Sequence, residues 1–411
     1  MGELKNRFAR LGPGLLYAGA AVGVSHLVQS TRAGASYGLA MIAVVILANL
    51  LKYPFFKAGP LYAASNGKSL LEGFYEIGKK AMLLFYLVTF ATVFAVQAVV
   101  TLITAGVLAY IFDLNFPLWS IAAFLLLICS IILIVGKFEF LNKTMKGVIL
   151  LLTIATIVTL IAALGNYQSA AFPLDAFSFF KEEDVFFLIA LVGWMPAPID
   201  IALWQSEWTL AQDKKTQSDV KNANFDFRLG YWGTTFLAAA FVGLGALILR
   251  GSGRELPESG VAFAGEVIGM YTETIGNWAF VFVAVAAFTT MFSTTLTVLD
   301  AFPRILQKAT KLSFPNWKIT ERNNYLLWLG IVVLGALFVL IFQLENMRQL
   351  VDFATSISFL TAPLLAGLIF MVVKRSKYKV FTKIDHWVAV AGLVFLTLFS
   401  LYYLWFKYLN V

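Results

Sequence analysis

Eleven apolar runs, each long enough to cross a bilayer as a helix, take up most of this 411-residue chain. They lie at about 12–31, 36–57, 81–111, 116–136, 144–164, 185–210, 229–250, 276–303, 324–343, 347–373 and 385–407. No water-soluble core can hide that many spans, and the composition agrees. The chain is 60% hydrophobic and 13% charged, against roughly 45–50% and 25% in soluble domains. The expected fold class is an all-α polytopic membrane protein with eleven transmembrane helices. A secreted disulfide scaffold, a disordered chain and an ordinary cytosolic enzyme are excluded. The single cysteine, Cys129, permits no internal disulfide, and with only His26 and His386 beside it a closed structural zinc site cannot be built. No resident cofactor is expected.

The chain carries 31 Lys and Arg against 23 Asp and Glu. These basic residues fall in short loops between apolar runs, so the partner is the lipid bilayer and not nucleic acid. With the N-terminus inside, 25 of the 31 lie on the cytoplasmic side, Lys52 and Lys57 being grouped with the loop after the second span. Arg32, Lys181, Arg250, Arg254, Arg348 and Lys407 remain outside. This asymmetry predicts a cytoplasmic N-terminus and an external C-terminus in a bacterial inner membrane. The first apolar stretch lacks a small-residue cleavage site, so no signal peptide is expected. The acid-rich outer loops at 175–184 and 250–273 read as short solvated segments.

Two spans are interrupted. The first contains Gly19, Gly23, Ser25, His26, Gln29 and Ser30 at mid-depth, and the sixth contains Gly193, Pro196 and Pro198. Two prolines at a spacing of two stop regular helix, and irregular backbone at membrane depth must be buried in protein or line a cavity. The breaks are five spans apart, and an odd spacing inverts the second half relative to the first. That pattern predicts inverted repeats over about 12–164 and 185–373, an extra helix at 385–407, and a substrate site between the breaks.

Ionisable groups inside spans are costly and point to function. Asp200 follows Pro198 where a second half-helix would begin, and it either caps that helix or faces the substrate. Glu207 lies two turns on, nearer the aqueous end. Asp300 pairs with Arg304 and Asp352 with Arg348, each at i+4. His26 either bonds unwound carbonyls or acts as a ligand or proton carrier. Met195, at the sixth break, offers a thioether suited to softer transition metals. Thr289, Thr290, Ser293 and Thr294 in the eighth span either glue helices together or hold a coupling ion. Gln97 and Thr101 read as interhelical glue, while Thr355, Ser356, Ser358 and Thr361 form a polar face in the tenth span.

The Gly-Pro-Gly at 12–14, Ala33-Gly34-Ala35, Tyr37-Gly38 and Met195-Pro196 resemble the Nramp family of proton-coupled divalent-metal transporters, which have the two-repeat fold of the amino acid-polyamine-organocation superfamily. The resemblance implies metal ligands at the two breaks and includes a backbone carbonyl at Val192. The sequence departs from the family at that chemistry. Gly23-Val24-Ser25-His26 stands where the family has Asp-Pro-Gly-Asn, and Met195-Pro196-Ala197 where it has Met-Pro-His. Ser356 falls where a Gln completes the family's site.

The reading ranked first is therefore coupled, alternating-access transport of an inorganic, divalent metal cation through a rewritten site. Its tentative metal ligands are His26, Met195 and Asp200, and Gly23, Ser25, Val192 and Ser356 complete the pocket. The alternative is sodium- or proton-coupled uptake of a small organic or anionic solute such as an amino acid or carboxylate, drawn by two half-helix N-termini. A sensor without flux is a third class. No Walker motif is present, so no nucleotide partner is expected, and no HExxH or GxSxG motif supports an enzyme.

Overall fold

At membrane depth there is no water to satisfy backbone N–H and C=O groups, so apolar runs close their hydrogen bonds internally as helices. The computed structural model describes residues 12–136, 138–165, 177–216, 220–252, 256–342 and 347–408. Its fifteen α-helices are α1 (Pro13–Ala21), α2 (Thr31–Tyr37), α3 (Met41–Asn66), α4 (Leu70–Ile77), α5 (Lys79–Phe112), α6 (Leu118–Val135), α7 (Phe138–Gly165), α8 (Glu182–Trp194), α9 (Ile201–Thr216), α10 (Val220–Leu244), α11 (Gly260–Ile275), α12 (Phe280–Ser313), α13 (Glu321–Phe342), α14 (Met347–Arg375) and α15 (Lys383–Tyr408). No strand occurs among the described residues.

Among the described residues, eight helical segments are apolar and long enough to cross a membrane: α3, α5, α6, α10 with its π-helical extension to Leu249, α12 with its short leading turn, α13, α14 and α15. The remaining three expected spans fall on the two interrupted segments and on α7, whose described apolar stretch is Leu150–Gly165. The breaks lie where the glycines and prolines place them, with α1 and α2 as halves of the first span and α8 and α9 as halves of the sixth.

The half-helices occupy the middle of the bundle. α1 packs on α10, α9 on α3, and α8 on α14, while α5 packs against both α12 and α14. α13 and α15 are peripheral and present exposed rows such as Leu334, Phe338 and Phe342. Such apolar rows suit lipid.

Two connecting segments are more structured than the sequence suggests. The loop after the seventh span contains α11, whose Phe263, Ala264, Val267, Ile268, Met270 and Tyr271 are buried. This corrects the reading of 250–273 as simply solvated. An apolar residue recurring every three to four positions gives α11 a face to bury even though its acids mark the loop as polar. In the loop after α3, Ser69 and Glu72 form a reciprocal capping box that starts α4.

Close approach of backbones fixes the first span against α10. A Cβ added at Gly34 would stand 1.9 Å from the Val242 carbonyl oxygen, whereas one at Gly367 meets nothing within 4 Å. Gly34→Ala should therefore destabilise the protein by about 1–3 kcal/mol through overpacking, and Gly367→Ala should be near neutral. Thermal unfolding of both variants in detergent checks this; equal midpoints would contradict the close approach.

Candidate functional site

At the first break α1 stops at Ala21, Val22 takes φ −75° and ψ 87°, and the chain resumes as a π-helical turn over Ser25–Ser30 before α2. Gly23 lies close against α12, since a Cβ there would lie 2.7 Å from Thr294 Oγ1. At the sixth-span break α8 ends at Trp194 and Met195 is extended, with φ −95° and ψ 118°. The Asp200 carbonyl then accepts from the N–H groups of Leu203 at 2.9 Å and Trp204 at 3.3 Å to start α9. The breaks touch: Ser30 Oγ lies 3.8 Å from the Met195 thioether.

Ser25 and His26 tie the first break to α10. His26 Nε2 is 3.0 Å from the Thr234 carbonyl oxygen, which can only accept, so this nitrogen carries a proton. Ser25 Oγ lies 2.7 Å from His26 Nδ1 and 2.6 Å from the Ala21 carbonyl oxygen. Both imidazole nitrogens thus already have partners within the protein.

Met195 is fully buried and Asp200 is 6% exposed. Among the described residues Asp200 forms no ion pair. From α14, Thr355 and Ser358 meet the breaks. Thr355 Oγ1 accepts from Gln29 Nε2 at 3.4 Å, its carbonyl lies 2.3 Å from where a Gly193 Cβ would be, and Ser358 Oγ accepts from Trp194 Nε1 at 2.9 Å. Ser356 is half-buried and outside these contacts, because one residue along a helix turns the side chain by about 100°. Among the described residues no three His, Cys, Asp or Glu side chains converge.

The carbonyl of Val192 is where the sequence reading places it, at the end of α8, but it is not free. Lys52 Nζ donates to Val192 O at 2.5 Å and to Gly193 O at 2.9 Å. Lys52 is 1% exposed, so it does not belong with the loop charges, as the sequence grouping had it. Five residues from the end of an apolar run, a lysine reads as interfacial; only the tertiary fold shows it turned inward.

The hydroxyls expected to hold a coupling ion divide. Thr294 Oγ1 lies 3.3 Å from Gly19 O, 3.4 Å from Val22 O and 3.1 Å from Thr290 O, and one hydroxyl proton can serve only one of these acceptors. Thr290 Oγ1 is buried with no hydrogen-bond partner among the described residues, and Ser293 is buried nearby on the same helix. Thr289 bonds Val285 O on a more exposed face, apart from this group. Gln97 and Thr101 act as glue: Gln97 Nε2 bonds Thr101 Oγ1 at 3.0 Å and reaches Thr295 O on α12 at 3.5 Å.

Charged clasps close the bundle at both ends. At one end Arg32 binds Asp352 through two nitrogens, at 2.7 and 3.2 Å, and also bonds Gln29 Oε1 at 3.1 Å. Arg348, the partner expected for Asp352, stands 3.9 Å away. The i+4 spacing brought Arg348 near, but the geometry of a guanidinium fork favours Arg32. At the other end Lys308 holds both Glu72 and Glu207 at 3.0 Å. Partial burial pushes the Glu72 carboxyl upward, but bonds from Ser69 and Lys308 outweigh it and leave the group below its ordinary range. Asp300 pairs with Arg304 at 2.6 Å as expected.

Paired half-helices at the centre of a polytopic helical bundle are the arrangement around which secondary transporters build a midplane site. Residues 14–406 match the natural resistance-associated macrophage protein-like (Nramp) family. An uncharacterized Pasteurella multocida protein, PM0681, is 35% identical over 404 residues, covering 97% of this chain and 92% of its own. The fold resembles a solved Eremococcus coleocola manganese transporter, with TM-score 0.69 at 13% identity over 97% of this chain and 86% of that one. It also resembles MhsT, solved with L-phenylalanine, with TM-score 0.60 at 13% identity over 95% and 98% of the two chains. The chain belongs to the Nramp family. It is thus a member of a transmembrane metal-ion transporter family with a LeuT-like fold, and not of an enzyme family.

Because the His26 ring bridges the break and α10, His26→Ala should orphan buried polar groups at a cost of about 1–3 kcal/mol. The expected outcome is a lower unfolding midpoint in detergent, and an unchanged midpoint would show that these bonds stabilise nothing.

Proposed function

We propose that this protein is a secondary active transporter that moves a divalent metal cation by alternating access around the two breaks. The observation that carries this reading is that the sixth break buries both the Met195 thioether and, five residues on, the Asp200 carboxylate, which forms no ion pair among the described residues. A thioether adds little to binding of Mg²⁺ or Ca²⁺ but suits softer transition metals, and Asp200 supplies the negative charge that the first break lacks. Val192 contributes a carbonyl. His26 takes the part of an anchor for the first break, and Gly23 gives the break room against Thr294.

Coupling is assigned to sodium at the α1–α12 contact. The carbonyls of Gly19 and Val22 and the hydroxyls of Thr294 and Thr290 are all hard oxygens, and together they offer more lone pairs than protons. Loop charge puts the Arg32–Asp352 clasp outside and the Lys308–Glu72–Glu207 clasp in the cytoplasm. Each clasp would open in turn, with repeats over about 12–164 and 185–373 as the moving units and 385–407 outside them.

A second reading, sodium-coupled uptake of an organic solute, is favoured by two observations: Lys52 makes the centre nearly neutral, and the MhsT neighbour is solved with an amino acid. The two readings separate by calorimetry. Under the metal reading, Asp200→Ala and Met195→Ala each weaken Mn²⁺ binding by at least about tenfold, the scale of one lost polar interaction. Mn²⁺ binding untouched by either variant, or replaced by sodium-dependent L-phenylalanine binding, would overturn it. For coupling, Thr294→Ala with Thr290→Ala should abolish stimulation of transport by a sodium gradient. Retained stimulation would move the ion elsewhere.

A further inference from the structure

A buried lysine without a carboxylate needs another way to offset its charge. Lys52 pairs with no acid among the described residues, yet it is 1% exposed. Its ammonium instead sits on two carbonyl oxygens, Val192 O at 2.5 Å and Gly193 O at 2.9 Å, in the last turn of α8. Those oxygens are there because the helix stops. Only the Met195 N–H reaches back, to Val192 O at 3.4 Å, so lone pairs are left over and the two carbonyls form the negative end of the half-helix dipole. Such an end attracts any cation, and here the cation is supplied by α3.

We propose that Lys52 is a tethered occupant of the cation position, holding the Val192 and Gly193 carbonyls in the empty carrier and yielding them when cargo binds. The proposal rests on the cation reading above, in which Val192 is a ligand. A metal cation bound to the Val192 oxygen and an ammonium 2.5 Å from the same oxygen repel one another, so the two occupants are exclusive. Exchange also sets a threshold on charge. A monovalent cation replacing the ammonium gains no attraction from the half-helix end, whereas a divalent one does. Lys52 is therefore a specificity-determining residue: it keeps the negative end satisfied without cargo and raises the affinity that a cation must have to enter. The four-carbon stem supplies the freedom to withdraw, and α3 lies against both α8 and α9, so motion at the sixth break reaches it directly.

The test is calorimetric titration of the purified full-length protein with MnCl₂, comparing wild type, Lys52→Met and Lys52→Arg, with unfolding midpoints confirming that each variant is folded. Lys52→Met, which keeps the stem and removes the charge, should bind Mn²⁺ at least about tenfold more tightly than wild type. Lys52→Arg, which keeps the charge, should not. Binding by wild type with no gain in folded Lys52→Met overturns the proposal and leaves the cation reading standing. Absence of Mn²⁺ binding in both folded proteins overturns the cation reading and this proposal with it. If Lys52→Met does not fold, amine-reactive labelling of wild type decides: Lys52 should be inert in metal-free protein and modified at saturating Mn²⁺, and equal labelling in both conditions overturns the proposal.

Discussion

A helix that stops inside a bilayer leaves its last carbonyls and its successor's first N–H groups without partners, and no water is present to supply them. Much of the interior of this protein answers that deficit. At the end of α1, Thr294 stands against the carbonyls of Gly19 and Val22, and Ser25 against that of Ala21. At the end of α8, Lys52 covers those of Val192 and Gly193. His26 and Trp194 then tie the broken segments to α10 and α14. Apart from Ser25, which lies in the break itself, each partner comes from an element packed against a break, so any movement of a break has to carry these bonds along or release them.

The same constraint links fold to chemistry. Carbonyls freed by a break are ligands for cations, and the two sets here differ in kind. The α1 set faces hydroxyls and has acceptors in excess of donors, which suits a bare monovalent ion. The α8 set faces an ammonium, with a thioether and a carboxylate within the next seven residues of chain. A centre so composed is far less acidic than three or more converging carboxylates and imidazoles would make it, and among the described residues no such cluster exists. On the proposed reading, selection of cargo depends on the soft sulfur of Met195 and on how charge is distributed between Asp200 and Lys52.

Much of the architecture was legible in the sequence because its signals are local. Apolar runs of membrane length, Gly19 and Gly23 in one of them and Pro196 and Pro198 in another, are read directly along the chain and need no knowledge of neighbours. Pairings between distant elements were not legible in the same way. Asp352 has a sequence-near candidate in Arg348, yet it binds Arg32, 320 residues away, through the better guanidinium geometry. Lys52 carries no mark distinguishing it from the snorkelling lysines that end so many spans. The family resemblance singles out Ser356, whereas the contact with the first break is made by its neighbour Thr355, because adjacent positions on a helix point about 100° apart. The acids of α11 concealed an apolar face that periodicity alone would have exposed.

The central claim is that the two breaks form one moving site for a metal cation. Accumulation of radiolabelled manganese in sealed proteoliposomes containing the purified protein tests it most directly. Uptake should saturate with manganese, exceed that of protein-free vesicles and collapse when the Arg32–Asp352 clasp is locked by a cross-link. Manganese entry no faster than in protein-free vesicles, under an imposed sodium gradient and with the protein shown to be folded, would contradict it.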